Sequence, residues 1–134
     1  MKAIIVDDER LARQEMRKLL QHFPEIEIAG EAANVDDALD QIEKVKPDVL
    51  FLDIQMPEKT GFDLLDELVE VPQVVFTTAY DEFALKAFEV NAIDYLLKPV
   101  TIDRLRDAIS KLNKPKTEED DKGKVFQNNQ IFIS

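Results

Sequence analysis

Val49-Leu50-Phe51-Leu52-Asp53 places four consecutive apolar residues directly before a carboxylate. An unbroken apolar run of this kind is typical of a strand that is covered on both faces of a parallel sheet. We therefore predict that Asp48–Asp53 is the central strand. Three other apolar runs end in the same manner, with Ile4-Ile5-Val6 before Asp7-Asp8, Val74-Val75-Phe76 before Thr77-Thr78, and Tyr95-Leu96-Leu97 before Lys98-Pro99.

Amphipathic segments separate these runs, so the chain alternates strands with helices. Short connections between strand and helix favour right-handed crossovers and a parallel sheet. The prediction is an α/β fold with a five-stranded parallel doubly wound sheet, a flavodoxin-like (βα)5 arrangement with strand order 2-1-3-4-5. Asn34, Asp81 and Thr101 are expected to cap helices. The predicted strands are Lys2–Val6, Ile26–Ala32, Asp48–Asp53, Val74–Thr77 and Ile93–Leu97, and the helices are Arg10–His22, a segment from Val35 that stops before Pro47, a segment from Gly61 with Val69 on its apolar side, and two that follow Asp81 and Thr101.

The composition limits the classes of protein that fit. The 134 residues are 45% hydrophobic, which suits one globular domain with a real core. There are no cysteines, so disulfides and thiolate metal sites are excluded. The formal net charge of −11 opposes direct binding to DNA or to anionic lipid. The apolar runs are far shorter than the ~20 residues of a membrane span, and residues 1–6 lack a signal-peptide pattern. We therefore expect a cytoplasmic protein with no membrane partner.

Polar side chains follow the predicted strands at the point where each strand ends. Asp7-Asp8, Asp53 and Lys98 would meet at one edge of the sheet, together with a threonine hydroxyl, because parallel strands bring their carboxyl ends together. Three carboxylates in one pocket repel each other and need a cation. Ligand sets made of oxygen only select Mg2+ or Mn2+ over zinc. The sequence thus predicts an acidic pocket for a divalent cation and a phosphoryl group.

Each of these residues also has an ordinary structural interpretation. Asp53 could cap a following turn, although no helical pattern comes directly after it. Asp8 could be a helix N-cap. Lys98 could be a solvated lysine, whereas in the pocket it would pair with the Asp53 carboxylate. Thr77 and Thr78 both suit a strand, and spacing alone does not decide which hydroxyl faces the pocket.

The character of the chain changes after Leu112. Residues 113–124 carry an acidic run and almost no apolar side chains, so they are predicted to be a linker. Residues 125–134 contain two apolar runs around an Asn-Asn pair, a pattern typical of a hairpin. Since a lone hairpin is not stable by itself, these residues are expected to begin a truncated β-rich effector domain. The first domain is then predicted at residues 1–112.

Four motifs lie in order along the chain: Asp7-Asp8, Asp53 within Phe51-Leu52-Asp53-Ile54-Gln55-Met56-Pro57, Thr78-Ala79, and Asp94-Tyr95-Leu96-Leu97-Lys98-Pro99. Together these motifs resemble the receiver domain of two-component response regulators. The resemblance covers residues 1–112 in order, and its last two motifs are most similar to receivers that precede a LytTR-type DNA-binding domain. The predicted β-rich segment after the linker agrees with that subfamily.

The resemblance implies a role for each residue at the predicted edge. Asp53 would be the phosphoacceptor, and it would bind Mg2+ directly together with Asp8. Asp7 would assist through water, and Gln55 would offer its backbone carbonyl. The other implied roles are Thr78 as the switch hydroxyl, Lys98 as the lysine that binds the phosphoryl group, Tyr95 as the switch aromatic, and Gln55 and Tyr80 as residues that modulate the phosphate lifetime.

The same resemblance implies a signalling domain rather than an enzyme that turns over a substrate. A sensor histidine kinase would donate the phosphoryl group, and phosphorylation would favour a homodimer. DNA would be contacted only by the missing effector domain, to regulate transcription. One alternative is a Mg2+-dependent phosphohydrolase with Asp53 as nucleophile, although Gln55 stands where such enzymes usually place a second aspartate. The other alternative is a partner-docking module without an effector.

Overall fold

Five strands alternate with five helices in the computed structural model, which describes residues 1–113. The elements are β1 (Lys2–Val6), α1 (Arg10–Leu20), β2 (Glu27–Ala32), α2 (Val35–Val45), β3 (Val49–Asp53), α3 (Gly61–Asp66), β4 (Gln73–Thr78), α4 (Ala84–Glu89), β5 (Asp94–Leu97) and α5 (Ile102–Ser110). The strands form one parallel sheet in the order β2-β1-β3-β4-β5. The predicted fold class and strand order are confirmed.

Alternate residues of each strand pack on opposite faces of the sheet. One core lies against α2, α3 and α4 and includes Ile4, Leu50, Leu52 and Phe76. The other core lies against α1 and α5 and includes Ile5, Phe51, Val75 and Leu96. All five residues of β3 are buried. The first four residues of this central strand are apolar, as expected where helices cover both of its faces.

The register of the sheet brings the carboxyl ends of the strands level with one another. Asp53 lies opposite Thr77 in the β3–β4 pair. Thr78 lies opposite the last residue of β5, directly before Lys98. Asp7 directly follows the last residue of β1, and β1 lies next to β3 in the sheet. One edge of the sheet therefore carries the residues that the sequence singled out.

Three helix boundaries differ from the prediction. α1 ends at Leu20, before the predicted end at His22, and α3 is only six residues long and ends at Asp66. Val69 is fully exposed and does not belong to the apolar side of α3. After Asp66, the next two backbone N–H groups donate to carbonyls three residues earlier, a tight turn that ends the helix. The third difference lies at the start of α4 and concerns its N-cap.

The predicted N-caps at Asn34 and Thr101 are confirmed, because each side chain accepts a hydrogen bond from a backbone N–H three residues later, at 2.8 and 3.2 Å. The predicted cap at Asp81 is wrong. α4 begins after Phe83 without a side-chain cap. The Phe83 N–H donates instead to the Tyr95 hydroxyl at 3.3 Å. A tertiary partner thus replaces the local cap at this helix.

Two predictions concern the C-terminal part of the chain, and both stay predictions. The predicted linker at residues 113–124 begins at the last described residue, and the predicted truncated domain at residues 125–134 lies outside the described residues. Within residues 1–113, no helix has both the length and the apolar character needed to cross a bilayer.

A partly buried carboxylate, that of Asp94, joins β5 to α5. Arg104 donates two hydrogen bonds to Asp94, at 2.7 and 2.8 Å, and Lys111 donates a third at 2.9 Å. Burial alone would raise the pKa of Asp94, but these donors and the N–H of Tyr95 hold it well below its usual range. The bonds therefore favour the charged carboxylate in the folded protein.

We expect Asp94→Asn to lower the free energy of unfolding by about 1–3 kcal/mol near pH 7, because Arg104 loses its charged acceptor. A lowered pKa in the folded state stabilises the protein above the pKa of the unfolded state, and this stability is lost as the pH falls. The difference in the free energy of unfolding between Asp94→Asn and wild type, measured by urea unfolding, should therefore shrink below about pH 4. Asp103→Asn removes an exposed ion pair with Arg106 and is the matched control. Equal effects of the two variants would contradict this expectation.

Candidate functional site

Three carboxylates meet at the carboxyl edge of the sheet. One side-chain oxygen from each of Asp7, Asp8 and Asp53 lies within 4.8 Å of the others. Asp7 and Asp53 are only 4% exposed, whereas Asp8 is exposed to solvent. Since β1 and β3 are neighbours, the two acids that follow β1 come beside the acid that ends β3. The N-cap of α1 is Glu9, without a side-chain bond, so the structure gives Asp8 no capping role.

Lys98 brings positive charge to this cluster. Its Nζ donates to Asp7 Oδ2 at 2.8 Å and lies 3.6 Å from Asp53 Oδ1. The predicted pairing with Asp53 is present as an ion pair, and Lys98 also donates a hydrogen bond to Asp7, which is the nearer of the two carboxylates. Burial alone would lower the pKa of Lys98, but the two carboxylates raise it above its ordinary value. The Lys98-Pro99 peptide bond is cis.

Asp53 lies in an environment that disfavours its charge. Burial is the main cause that raises its pKa to about 7, and the charge of Asp7 adds to the increase. The Lys98 ammonium lowers the pKa, and Asp8 raises it further, but both effects are smaller. A cation bound at the cluster would favour the charged form and release the proton.

The two threonines at the end of β4 have different surroundings. Thr77 lines a cavity of about 240 Å³ beside α1, together with Asp7 and Lys98. Thr78 is fully buried, and its hydroxyl accepts a hydrogen bond from the Tyr80 N–H at 3.2 Å. Its carbonyl accepts another from the backbone N–H of Lys98 at 2.7 Å. Thr78 therefore links β5 to the loop before α4, and its role as the switch hydroxyl stays a prediction.

Tyr95 connects β5 to the same loop. Its hydroxyl donates to the Tyr80 carbonyl and accepts from the Phe83 N–H at 3.3 Å. Its ring packs against the core on the side of α2, α3 and α4. Tyr80 is about half exposed, and its ring meets the ring of Phe83 edge-on at 6.4 Å. Thr78 and Tyr95 thus both bond to the backbone of Tyr80.

The cluster fits a small divalent cation such as Mg2+. Three carboxylates converge, and one ammonium group neutralises only part of their charge. Carboxylate oxygens are hard ligands of the kind that Mg2+ prefers. Gln55 lies in the loop after β3 with its side chain exposed, and its backbone carbonyl stays a predicted ligand.

Comparison with known proteins agrees with this geometry. Residues 3–110 match the family described as the response regulator receiver domain. The chain belongs to this family. The receiver domain is 47% identical to the sensory transduction protein LytT of Bacillus anthracis, over 87% of the chain and 48% of that protein. It is 45% identical to the transcriptional regulatory protein BtsR of Escherichia coli K12, over 90% of the chain and 51% of that protein.

Solved structures of receivers have the same fold. The response regulatory domain of protein mrkE from Klebsiella pneumoniae aligns with a TM-score of 0.76 and 39% identity, over 84% of this chain and 94% of that chain. The REC domain of AraT from Geobacillus stearothermophilus aligns with a TM-score of 0.73 and 32% identity, over 96% of this chain and 98% of that chain. The receiver domain spans about half the length of the curated relatives it matches.

Three residues that support the receiver site were missed in the sequence. The Glu9 N–H donates to the Asp7 carboxylate at 2.9 Å, and the Arg13 guanidinium donates to the Asp7 carbonyl at 2.7 Å. Gly61 packs against the backbone of Asp53. Each of the three contacts involves at least one backbone atom, so no pair of side-chain types in the sequence indicates it. The one available signal was that Gly61 is among only three glycines in the chain.

We expect Lys98→Met to raise the pKa of Asp53 further in the metal-free receiver, because the nearby positive charge is lost. Carbon-detected NMR of the Asp53 carboxyl group during a pH titration measures this. Lys59→Met is the matched control, since Lys59 pairs with Asp36 and Glu67 on the surface. An Asp53 pKa that is the same in Lys98→Met and wild type would refute the expected coupling.

Proposed function

We propose that this receiver domain is the phosphorylation-controlled input of a two-component response regulator. Asp53 would accept a phosphoryl group from a sensor histidine kinase in the cytoplasm. The phosphorylated receiver would then favour a homodimer that regulates transcription through an attached DNA-binding effector. The observation that supports this most strongly is that buried Asp53 meets two more carboxylates and Lys98 at one edge of the sheet.

Transfer to Asp53 requires its charged form and access to one carboxylate oxygen. That oxygen forms a bond to phosphorus while the N–P bond of the donor histidine breaks, and the imidazole keeps the electron pair. Lys98 lies close enough to Asp53 to donate to the phosphoryl oxygens. Asp7, Asp8, Asp53 and the Gln55 carbonyl would hold Mg2+, which when bound supplies positive charge to the transferring group.

Thr78 and Tyr95 would carry the signal from Asp53 toward α4. The Tyr80 N–H donates to Thr78, and the Tyr80 carbonyl accepts from Tyr95. If the Thr78 hydroxyl turns toward a phosphoryl oxygen, it loses its hydrogen bond from the Tyr80 N–H. The loop before α4, which Tyr95 also contacts, would then change conformation. Reversing a 1:99 equilibrium requires about 5.5 kcal/mol, and charge-assisted hydrogen bonds to the phosphoryl group would supply part of it. Gln55 and Tyr80 would modulate the phosphate lifetime.

The surface of α4 and β5 is the proposed site of dimerisation. Leu85 is 71% exposed, Phe88 is 79% exposed, and Leu97 is 47% exposed. Large apolar side chains that face solvent together favour an interaction surface. Phosphorylation would bring a second copy of the receiver to this surface by shifting the loop before α4.

DNA binding is proposed for a part of the protein outside the receiver. The net charge of −11 opposes contact between this chain and the DNA backbone. The chain matches only about half of LytT and BtsR, and the latter is called a transcriptional regulatory protein. A LytTR-type effector that follows the predicted linker at residues 113–124 accounts for both observations.

The enzyme alternative has less support. Gln55 stands two residues after Asp53, where a phosphohydrolase of this chemistry would need a carboxylic acid. The family match describes a receiver domain. We therefore propose that the domain promotes only its own phosphorylation and dephosphorylation. The length of the relatives also favours an attached effector over a stand-alone docking module.

Intact-protein mass spectrometry after incubation with acetyl phosphate tests the proposed function. Wild type is expected to gain one base-labile phosphoryl group in Mg2+ and none in EDTA, and Asp53→Ala should gain none. Asp40→Ala is the matched control, because Asp40 is an exposed carboxylate on α2. Undiminished labelling of Asp53→Ala would rule out Asp53 as the acceptor.

Size-exclusion chromatography tests the proposed output. The phosphorylated receiver is expected to elute as a dimer and the unphosphorylated receiver at a lower apparent mass. Phe88→Glu, at an exposed position on α4, should still accept the phosphoryl group but should not dimerise. A phosphorylated Phe88→Glu variant that dimerises as wild type does would place the interface elsewhere.

A further inference from the structure

Arg13 lies near the start of α1, beside the carboxylate cluster but outside it. Its Nη1 donates to the Asp7 carbonyl at 2.7 Å, and its Nε donates to Glu31 Oε1 at 3.2 Å. The side chain is only 16% exposed. A guanidinium group holds its donors in one rigid plane, so two bonds to different partners fix its orientation. Arg13 therefore ties the backbone of Asp7 to β2.

Every polar group of Asp7 has a partner. Its N–H donates to the last carbonyl of β2 at 3.0 Å, and its carbonyl accepts from Arg13. Its carboxylate accepts from the Glu9 N–H at 2.9 Å and from Lys98 at 2.8 Å. The Asp7 carbonyl is part of the peptide group that leads into Asp8. The bond from Arg13 therefore sets the plane of that peptide, and with it the direction in which Asp8 leaves the backbone.

We propose that Arg13 is a positioning residue that sets the affinity of the carboxylate cluster for Mg2+. The inference rests on the proposed function, since Arg13 acts only through Asp7 and Asp8. Without Arg13, the buried Asp7 carbonyl loses its donor. The peptide group can then rotate, and the exposed Asp8 carboxylate is no longer held toward Asp53. Loss of residues that orient metal ligands typically weakens affinity by about 10- to 100-fold.

Arg17 offers a matched control one turn further along α1. Its Nε donates to Glu31 Oε2 at 2.6 Å, so it shares the carboxylate that Arg13 binds and carries the same charge. Among the described residues its bond is to Glu31 and not to Asp7. A general effect of charge, or of the pair with Glu31, would appear at both positions. An effect through the Asp7 carbonyl would appear only at Arg13.

Calorimetric titration of Mg2+ into the 134-residue chain, without a phosphodonor, tests the proposal. Arg13→Met is expected to raise the Kd about tenfold. Arg13→Lys should raise it less, because an ammonium group can replace one donor of the planar fork but not both. Arg17→Met should leave the Kd within about twofold of wild type. At saturating Mg2+, the rate at which acetyl phosphate phosphorylates Arg13→Met should approach the rate for wild type.

The outcomes separate this inference from the proposed function. Thermal unfolding shows whether each variant is folded, and if Arg13→Met is not, Arg13→Lys is compared with Arg17→Lys. The positioning role would be overturned if the Kd for Mg2+ were equal in wild type and the Arg13 variants, or if it rose equally in the Arg17 variants. Either result would leave the proposed function intact. A wild-type chain that neither binds Mg2+ nor accepts a phosphoryl group would overturn both.

Discussion

Asp53→Asn is expected to raise the free energy of unfolding of the metal-free protein by about 2 kcal/mol near pH 8. The substitution keeps the size of the side chain but removes a charge that burial, Asp7 and Asp8 disfavour. Asp53 is only 4% exposed, so solvent screens this cost poorly. The variant gives up the attraction of Lys98, but Lys98 keeps its hydrogen bond to Asp7. The residue proposed as phosphoacceptor is therefore expected to destabilise the resting protein.

The pH dependence follows from the direction of the pKa shift. The pKa of Asp53 rises from 3.8 to about 7 on folding, so the folded protein binds this proton more tightly than the unfolded chain does. The resulting stabilisation is complete below about pH 4 and is lost as the pH rises through about 7. The advantage of Asp53→Asn over wild type should therefore be small near pH 4 and reach its full value above pH 7.

Urea unfolding across this pH range, in EDTA and in Mg2+, measures how the pH and the metal each change the free energy of unfolding. Mg2+ should stabilise wild type but not Asp53→Asn, so it should narrow the difference between them. Asp40→Asn changes the net charge equally at an exposed position on α2 and should leave the stability nearly unchanged. An Asp53→Asn variant that is less stable than wild type in EDTA at about pH 8 would contradict the account of the Asp53 pKa.

Gly61→Ala is expected to lower the free energy of unfolding by about 2–3 kcal/mol. A Cβ at Gly61 would lie 2.5 Å from the Asp53 carbonyl oxygen and 3.1 Å from Leu52 Cγ. The carbonyl belongs to the backbone of β3 and cannot rotate away, so α3 or the end of β3 must move. The Gly61 N–H also donates to the Ile54 carbonyl at 2.9 Å, so the same displacement strains the loop after Asp53. Phosphoryl acceptance should fall together with stability.

Gly30→Ala is the matched control for this prediction. A Cβ at Gly30 would meet the side-chain amide of Gln41, which is the end of a flexible side chain. Gln41 can rotate away at the cost of its hydrogen bonds to the Glu31 carbonyl and to Asp37. The expected loss is below about 1 kcal/mol. If denaturant unfolding shows that Gly30→Ala and Gly61→Ala lose equal free energy of unfolding, the close approach at Gly61 does not explain the effect of Gly61→Ala.

The fold could be predicted because burial and chain order are both visible in the sequence. The unbroken apolar run of β3 indicates a strand covered on both faces, and all of its residues are buried. Short alternating elements then leave few topologies, and the observed strand order is the predicted one. The carboxylate cluster follows from that order, because it makes the strands before Asp7-Asp8 and Asp53 neighbours.

The details that could not be predicted depend on partners that are distant in the sequence. Asp81 does not cap α4, because the Phe83 N–H finds the Tyr95 hydroxyl instead. Lys98 pairs with Asp53 as predicted, but its hydrogen bond goes to Asp7, because the distances across the sheet edge decide this and the sequence pattern does not contain them. Backbone partners are equally hidden, which is why the contacts of Arg13 and Gly61 were missed.

Borohydride reduction followed by peptide mass mapping tests the central claim most directly. Borohydride converts an aspartyl phosphate to homoserine and leaves a free carboxylate unchanged. After treatment of the protein with acetyl phosphate and Mg2+, we predict homoserine at position 53 and intact aspartate at positions 7 and 8. Homoserine at Asp7 or Asp8, with aspartate retained at Asp53, would contradict the account.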